Sequence, residues 1–405
     1  MENVGQYITK YRKGKVPKQL FDNQEEGLLP YLSPDYLRRK SKPEFYAEPT
    51  EKVVEVEDGE VIVLWDGSNA GEIFISRKGI LGSTMVKLEF NEDEIFKPYF
   101  SFSFEYLEYV LKAKTAGSGI PHADKGVIKK LDFFKPPKPE QTAIAIILSK
   151  VNANIEAVNK SVKAAEKLKK ALIQNLLTGK LKPDGSWRAE NEFYEDEKIG
   201  MVPKDWVLSR IKKVIKLKNG KGNTTSNLRS EPDKEYNIPV FGGNGITGYY
   251  HTPLLNQSTL LIGRVGEYCG NVFMTPNLSW VTDNAMLVKE FLIDEYSLDF
   301  FKYKFNTLNF IHYSDTTGQP KLTQSSIGSI RFCYPKDKKE QKLIAKKINE
   351  VEINIDVKQT KIKKLQRLKK ALMQNLLTGK VRLPEEFIAQ FENELEETNI
   401  KLTAQ

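Results

Sequence analysis

Along the 405 residues the clearest pattern is an apolar stripe that occurs twice. Ile144, Leu148, Val151, Ile155, Val158, Val162 and Ala165 follow a 4-3-4-3-4-3 spacing, and Ile344, Ile348, Val351 and Ile355 repeat it further along the chain. A spacing averaging about 3.5 residues is the seam of a coiled coil, and each stripe needs a partner to cover it. The first stripe reads on through Leu168, Leu172 and Leu176 with a local change of phase. The second is interrupted by Lys358 and resumes through Ile362, Leu365, Leu368, Leu372 and Leu376. Prolines at 136, 137, 139 and 335 mark the entries, and Thr178-Gly179 and Thr378-Gly379 mark the exits, where glycine offers a left-handed cap. The pattern predicts two helices of about 39 residues, rods of roughly 58 Å, and the cheapest partner for each is the other. Antiparallel packing follows if the chain between them is compact and returns beside the same rod end. Two helices buried separately, each in its own domain, is the alternative.

Outside the stripes, short apolar or alternating runs predict strands: Val53–Val56 and Val61–Trp65 early, then Thr259–Ile262, Asn271–Met274 and Ala285–Val288. One aromatic run in each region, near Tyr99–Leu111 and Tyr296–Phe305, predicts a short helix. The fold class is therefore α+β (mixed α/β), with two strand-rich domains, two long helices and a pseudo-two-fold internal repeat. Boundaries fall at 1–139 for the first domain, 140–180 for its helix, 181–199 for a polar linker, 200–339 for the second domain, 340–380 for its helix and 381–405 for a tail.

The repeat is explicit at the helix ends. Leu168 to Lys180 recurs as Leu368 to Lys380 with one change, Ile173 to Met373, and Glu140-Gln141 aligns with Glu340-Gln341. A period this long marks a duplicated domain-plus-helix module and not a solenoid. The net charge of +9 is concentrated in the same stretches: residues 141–180 carry +5 and 341–380 carry +8, leaving −4 for everything else. Lys163, Lys167, Lys169, Lys170, Lys361, Lys363, Lys364, Arg367, Lys369 and Lys370 crowd the C-terminal halves of the helices. They would suit a DNA backbone, a protein partner, or simply a solvated helix end.

Much chemistry is disfavoured. No run approaches 20 apolar residues and the N-terminus lacks a signal-peptide pattern, so the expectation is a cytoplasmic protein. Cys269 and Cys333 form no metal-binding or disulfide pattern, and His122, His251 and His312 lie far apart. There is no P-loop and no Asn-Pro-Pro-aromatic or Asp-Pro-Pro-aromatic tetrapeptide. Gly243-Asn-Gly245-Ile-Thr-Gly248 spells a dinucleotide motif, but Tyr249, Tyr250, His251, Thr252 and Pro253 follow it, and a turn is the better reading. Pro183-Asp184 with Asp196-Glu197-Lys198 spells a nuclease motif in a segment without strand signal.

The duplicated Leu-Lys-Lys-Ala-Leu-(Ile/Met)-Gln-Asn-Leu-Leu-Thr-Gly-Lys segments, the paired Glu-Gln entries, Leu29–Pro34 and the opening Gly200-Met-Val-Pro203-Lys-Asp-Trp206 together resemble the DNA specificity (S) subunit of type I restriction-modification systems, over nearly the whole chain. The first domain departs from the second in having Val16-Pro17-Lys18 but no tryptophan matching Trp206. This resemblance implies two target recognition domains that read the halves of a split site in double-stranded DNA, held apart by an antiparallel helix pair. It also implies two modification (M) subunits carrying S-adenosylmethionine, restriction (R) subunits using Mg and ATP, no cofactor or metal on this chain, no catalytic residue and no membrane. A stand-alone DNA-cutting or DNA-methylating enzyme, or a coiled-coil scaffold without DNA readout, are the competing readings.

Base edges are read by Arg, Lys, Asn, Gln and hydroxyl side chains. Candidates in Gly- or Pro-rich segments are Tyr31, Ser33, Arg38, Arg39, Lys40, Ser68, Arg77 and His122 in the first domain. Those in the second are Lys221, Asn223, Thr225, Arg229, Asn244 and Arg264. The helix and partner interface is assigned to Leu148, Val151, Ile155, Val158, Val162, Leu168, Leu172, Leu176, Ile348, Val351, Ile355, Ile362, Leu365, Leu368, Leu372 and Leu376.

Overall fold

A computed structural model describes residues 1–38, 42–114, 121–222, 227–315 and 318–391. The chain divides into two units, Met1–Asn159 with Thr360–Gln405, and Lys160–Gln359. Each is mixed α/β and built on the same plan. In the first unit the antiparallel strands Ile8–Lys13, Met85–Phe90, Val61–Leu64 and Ile73–Ile75 lie side by side in that order. Ile215–Asn219, Ala285–Phe291, Leu260–Gly263 and Val272–Met274 reproduce the order in the second. A further sheet in each is organised by a parallel pair. Leu29–Leu32 runs beside Gly79–Leu81 with Tyr31 opposite Ile80, and Ile238–Gly242 runs beside Trp280–Val281 with Val240 opposite Trp280.

The predicted aromatic helices are Lys97–Ala113 and Leu298–Asn306. Tyr99, Phe100 and Phe104 of one, and Phe300, Phe301 and Phe305 of the other, are fully buried against the four-stranded sheets. These three large aromatic side chains on each helix make a substantial apolar contribution to each core.

The long helices run Lys138–Leu176 and Lys338–Leu376, 39 residues each. In the first unit Ile144, Ala145 and Leu148, at the start of one helix, share a core with Met373, Leu376 and Leu377, at the end of the other. In the second unit Ile344, Ala345 and Ile348 share a core with Leu172, Ile173, Leu176 and Leu177. Start therefore meets end in both units, the sense of an antiparallel pair. The change of phase expected at Leu168 does not occur. Leu168 and Leu368 are 51% and 47% exposed, and the half-buried positions are Lys169 and Lys369. The 3-4 spacing runs on unbroken through these lysines, whose ammoniums meet Glu352 at 2.7 Å and Glu105 at 2.5 Å; a lysine's four-carbon stem can serve as apolar surface in such a position.

Both helix entries are fixed by the same buried glutamine. Gln141 Oε1 accepts from Phe96 N at 2.8 Å, while its Nε2 donates to Glu94 O at 3.2 Å and Pro136 O at 2.8 Å. Gln341 Oε1 accepts from Ser297 N at 2.8 Å, while its Nε2 donates to Glu295 O at 3.2 Å and Pro335 O at 2.9 Å. The preceding glutamates are each held by an arginine from beyond the opposite helix's end. Arg382 reaches Glu140 at 2.8 and 2.5 Å, and Arg188 reaches Glu340 at 3.2 Å and Asp205 at 2.6 Å. At the exits Gly179 and Gly379 take φ of +74° and +70°, left-handed values that a side chain rarely adopts. A Cβ at either would meet Pro203 or Phe134 closer than 3.0 Å.

The segment read as a polar linker contains a hairpin, Phe193–Asp196 with Gly200–Pro203. Its turn depends on local polar bonds that strand periodicity does not register: Asp196 Oδ1 accepts from Lys198 N at 3.0 Å and Ile199 N at 3.2 Å. Of the nuclease-like carboxylates, Asp196 is bound by Arg331 at 2.6 Å and Asp184 by Ser186 within a tight turn. Gly243–Gly248 lies in the hairpin of Ile238–Gly242 and Gly245–Tyr250, with no helix following.

Candidate nucleic-acid interface

The four-stranded sheet of each unit has two distinct ends. One, at Ile8 and Phe90 or at Ile215 and Phe291, leads to the aromatic helix and the glutamine-pinned helix entry. The other opens into loops, and matching backbone hydrogen bonds tie these together in both units.

In the first unit Gly14 N donates to Met85 O at 2.9 Å, Trp65 N to Thr84 O at 2.7 Å, Gly67 N to Pro121 O at 3.0 Å and Ala123 N to Trp65 O at 2.8 Å. The second unit closes in the same way. Gly220 N donates to Ala285 O at 3.0 Å, Arg264 N to Asn284 O at 2.9 Å, Gly266 N to Pro320 O at 3.1 Å and Leu322 N to Arg264 O at 2.9 Å. Short helices leave both clusters from side-chain caps: Asp124 accepts from Gly126 N at 2.6 Å, and Thr323 from Ser326 N at 3.1 Å.

The matching bonds pair residues of different chemistry. Trp65 corresponds to Arg264, Asp66 to Val265, and His122 to Lys321; backbone bridges join Asp66 to His122 and Val265 to Lys321. In the first unit Asp66 receives Lys13 at 2.8 Å and His122 Nδ1 at 2.7 Å. Partial burial works against the Asp66 charge, but these two bonds outweigh it and hold the carboxyl below its ordinary value. Trp65 stands edge-on to Tyr11, whose phenol burial pushes up to about 12, and the Lys125 ammonium lies 4.4 Å from the Tyr11 ring centre.

The Asp66 cluster is expected to make the first unit acid-sensitive. A carboxyl whose folded pKa is depressed stabilises the fold above its ordinary value of 3.8 and loses that contribution as pH falls through the folded value. The expected result is that Asp66→Asn lowers the thermal midpoint at pH 7 and that the gap from the parent protein closes below about pH 4. A gap that stays constant with pH would mean that Asp66 stabilises by shape and not by charge.

Of the residues singled out in the sequence, the first loop cluster includes Ser68, exposed in the 65–71 turn, and His122. Tyr31 reaches it through its hydroxyl, which accepts from Ser83 N at 3.3 Å. Ser33 instead caps the helix Pro34–Leu37, accepting from Tyr36 N at 3.2 Å. Arg38 is held by Glu72 and by Asp35 at 2.9 Å, and the Glu72 bond raises its pKa. Arg77 lies 5.6 Å from the Tyr36 ring centre.

In the second cluster Lys221, Asn244 and Arg264 converge. Lys221 N donates to Val281 O at 2.9 Å, and its carbonyl accepts from Trp280 Nε1 at 2.9 Å. The Gly243-Asn244 turn sits against the 265 and 284 carbonyls. Arg229 lies apart, 5.1 Å from the Tyr236 ring centre. Arg39, Lys40, Asn223 and Thr225 fall outside the described residues.

Lys13, Trp65, Asp66 and Lys321 were not singled out in the sequence. A fainter repeat marks their loops: Ala70-Gly-Glu-Ile-Phe-Ile75 beside Cys269-Gly-Asn-Val-Phe-Met274, and Pro121-His-Ala-Asp124 beside Pro320-Lys-Leu-Thr323. Among the described residues no group of three His, Cys, Asp or Glu side chains is placed to hold a metal ion, and no helix is long and apolar enough to cross a membrane.

Comparison with known proteins gives a consistent result. A family profile described as "Type I restriction modification DNA specificity domain" matches residues 4–167 and again 203–367. The type I restriction enzyme MjaVIII specificity subunit of Methanocaldococcus jannaschii is 30% identical, over 94% of this chain and 92% of that protein. The EcoprrI specificity subunit of Escherichia coli is 27% identical over 30% of each. Among solved structures, the type I restriction-modification S subunit from M. genitalium superposes with a TM-score of 0.63 at 17% identity, covering 93% of this chain and 95% of that one. A chain from a structure on complex assembly and conformational transition of the type I R-M system gives 0.50 at 14%, covering 94% and 97%. At these identities the structural likeness is one of fold.

Proposed function

The chain belongs to the type I restriction-modification DNA specificity family, and from that premise we propose how its parts divide the work. It is the specificity subunit, a DNA-recognition component. Each unit's loop cluster reads one half of a split double-stranded target. The two long helices run as an antiparallel coiled coil that spaces the reading domains, and their duplicated C-terminal faces each dock one modification subunit. S-adenosylmethionine is held by those subunits, Mg and ATP by the restriction subunits, and this chain performs no chemistry of its own.

The observation that carries this reading is a contrast between constant and divergent parts. The helix exits repeat with one change, Ile173 to Met373, and the entries share Glu-Gln, with Gln141 and Gln341 making three equivalent bonds each. The loop clusters repeat in backbone but differ in side chains, Trp65, Asp66 and His122 standing where the other has Arg264, Val265 and Lys321. Two identical docking faces suit two copies of one partner, and two unlike reading loops suit two unlike half-sites. Lysines on the helices add phosphate attraction, though Lys169 and Lys369 are held in ion pairs and are excluded from that role. The test is whether adenine methylation of a bipartite site requires this chain and a modification subunit together. Methylation by either alone would overturn the division of labour.

A further inference from the structure

Arg264 is the charged residue of the second loop cluster whose environment is incomplete; the buried Thr282 hydroxyl also lacks a partner there. Its backbone is fixed on both sides, N to Asn284 O at 2.9 Å and O from Leu322 N at 2.9 Å, and Cys269 Sγ also donates to that carbonyl at 3.1 Å. The guanidinium is held at one corner, where Nη1 donates to Asp283 O at 3.3 Å. Its Nε is buried and has no hydrogen-bond partner. Arg38, Arg188, Arg331 and Arg382 all meet carboxylates, whereas Arg264 has none among the described residues. The buried Nε is out of a ligand's reach, but the Nη edge is held only at Asp283 O and keeps N–H donors for a ligand.

Its surroundings indicate which ligand. The Arg264 backbone is fixed at the loop end, beside the Gly243-Asn244 turn, and with Nε buried and Nη1 on Asp283 O the side chain is presented as a restrained fork. A fork of parallel N–H groups matches the O6 and N7 acceptors of guanine in the major groove, and a bidentate pair of that kind discriminates against other bases. We propose that Arg264 reads a guanine in the half-site recognised by the second unit. The first unit has Trp65 at the corresponding position, with its N donating to Thr84 O at 2.7 Å, so it has no equivalent guanine contact there.

This inference rests on the specificity-subunit reading, and its test separates the two. The full chain, unaltered or as Arg264→Ala or Arg264→Lys, is produced with its modification subunit, and methylated sites are mapped genome-wide. The unaltered complex should show a bipartite motif in which one half contains guanine. Both variants should lose preference at one guanine of that half by between about 5- and 150-fold, leaving the other half unchanged. The intact half-site reports that the variant is folded and assembled. Four results would overturn the role of Arg264: no guanine in either half, an unchanged motif, methylation lost outright in both variants, or methylation weakened equally at all sequences. The last is the mark of a phosphate contact. A native complex with no bipartite motif would remove the specificity reading itself.

Discussion

Gln341→Leu should lower the thermal midpoint of the unit that holds it by about 6–12 °C, and Gln141→Leu should do the same to the other. Each glutamine is fully buried and satisfies one backbone N–H and two backbone carbonyls at the junction of reading domain and helix. Leucine fills the space but leaves those three groups without partners. An orphaned buried polar group costs about 1–3 kcal/mol, so about 3 kcal/mol or more is lost after partial relaxation. In a unit of about 200 residues each kcal/mol moves the midpoint by about 2–4 °C. Calorimetry on the two single variants checks this. Shifts under about 2 °C would mean that water or a rearranged backbone replaces the glutamine.

The second large effect falls on assembly and leaves stability nearly untouched. Leu168 and Leu368 are large apolar side chains exposed at equivalent positions of the repeated segment. Their neighbours Lys170, Ala171 and Gln174 recur as Lys370, Ala371 and Gln374, all exposed as well. Internal packing does not require that identity, because exposed helix positions tolerate most residues. The inward-facing site at 173 and 373 is where the two segments differ. A duplicated exposed face is expected where the same partner binds twice. The double variant Leu168→Glu, Leu368→Glu should keep its thermal midpoint within about 2 °C. It should weaken binding of the modification subunit by about 30-fold or more at each site, the effect of losing a central apolar anchor. Sedimentation of the mixed proteins reads this directly. Unimpaired assembly would place the docking face elsewhere.

How far the sequence reveals this molecule depends on the range of the interactions involved. The long helices, their caps and their duplication are local patterns, and Pro137, Gly179 and the 3-4 stripe make them legible. The seam departs from the apolar count at Leu168 because that count overlooks lysine, whose four-carbon stem can serve as apolar surface; Lys169 occupies the position. The hairpin at 193–203 escaped for a related reason, since Asp196 stabilises it through turn hydrogen bonds in a stretch with no alternating apolar residues. Site residues divide in the same way. Ser33 before Pro34-Asp35 is a helix cap by local rules alone. Arg38 is neutralised by Glu72, a partner that no spacing rule supplies. The convergence of Lys221, Asn244 and Arg264, and the pairing of Trp65 with Arg264, arise from sheet register between distant strands. Only the weak second repeat hinted at them.

Methylation mapping tests the division of labour most directly. A host lacking other adenine modification would receive this chain, the modification subunit, or both, and every methylated adenine would be mapped. The expected result is a split motif, two defined half-sites around an unspecified spacer, present only when both proteins are made. Methylation in cells making this chain alone would contradict the proposal that it performs no chemistry of its own, and the same motif from the modification subunit alone would contradict the assignment of specificity to this chain.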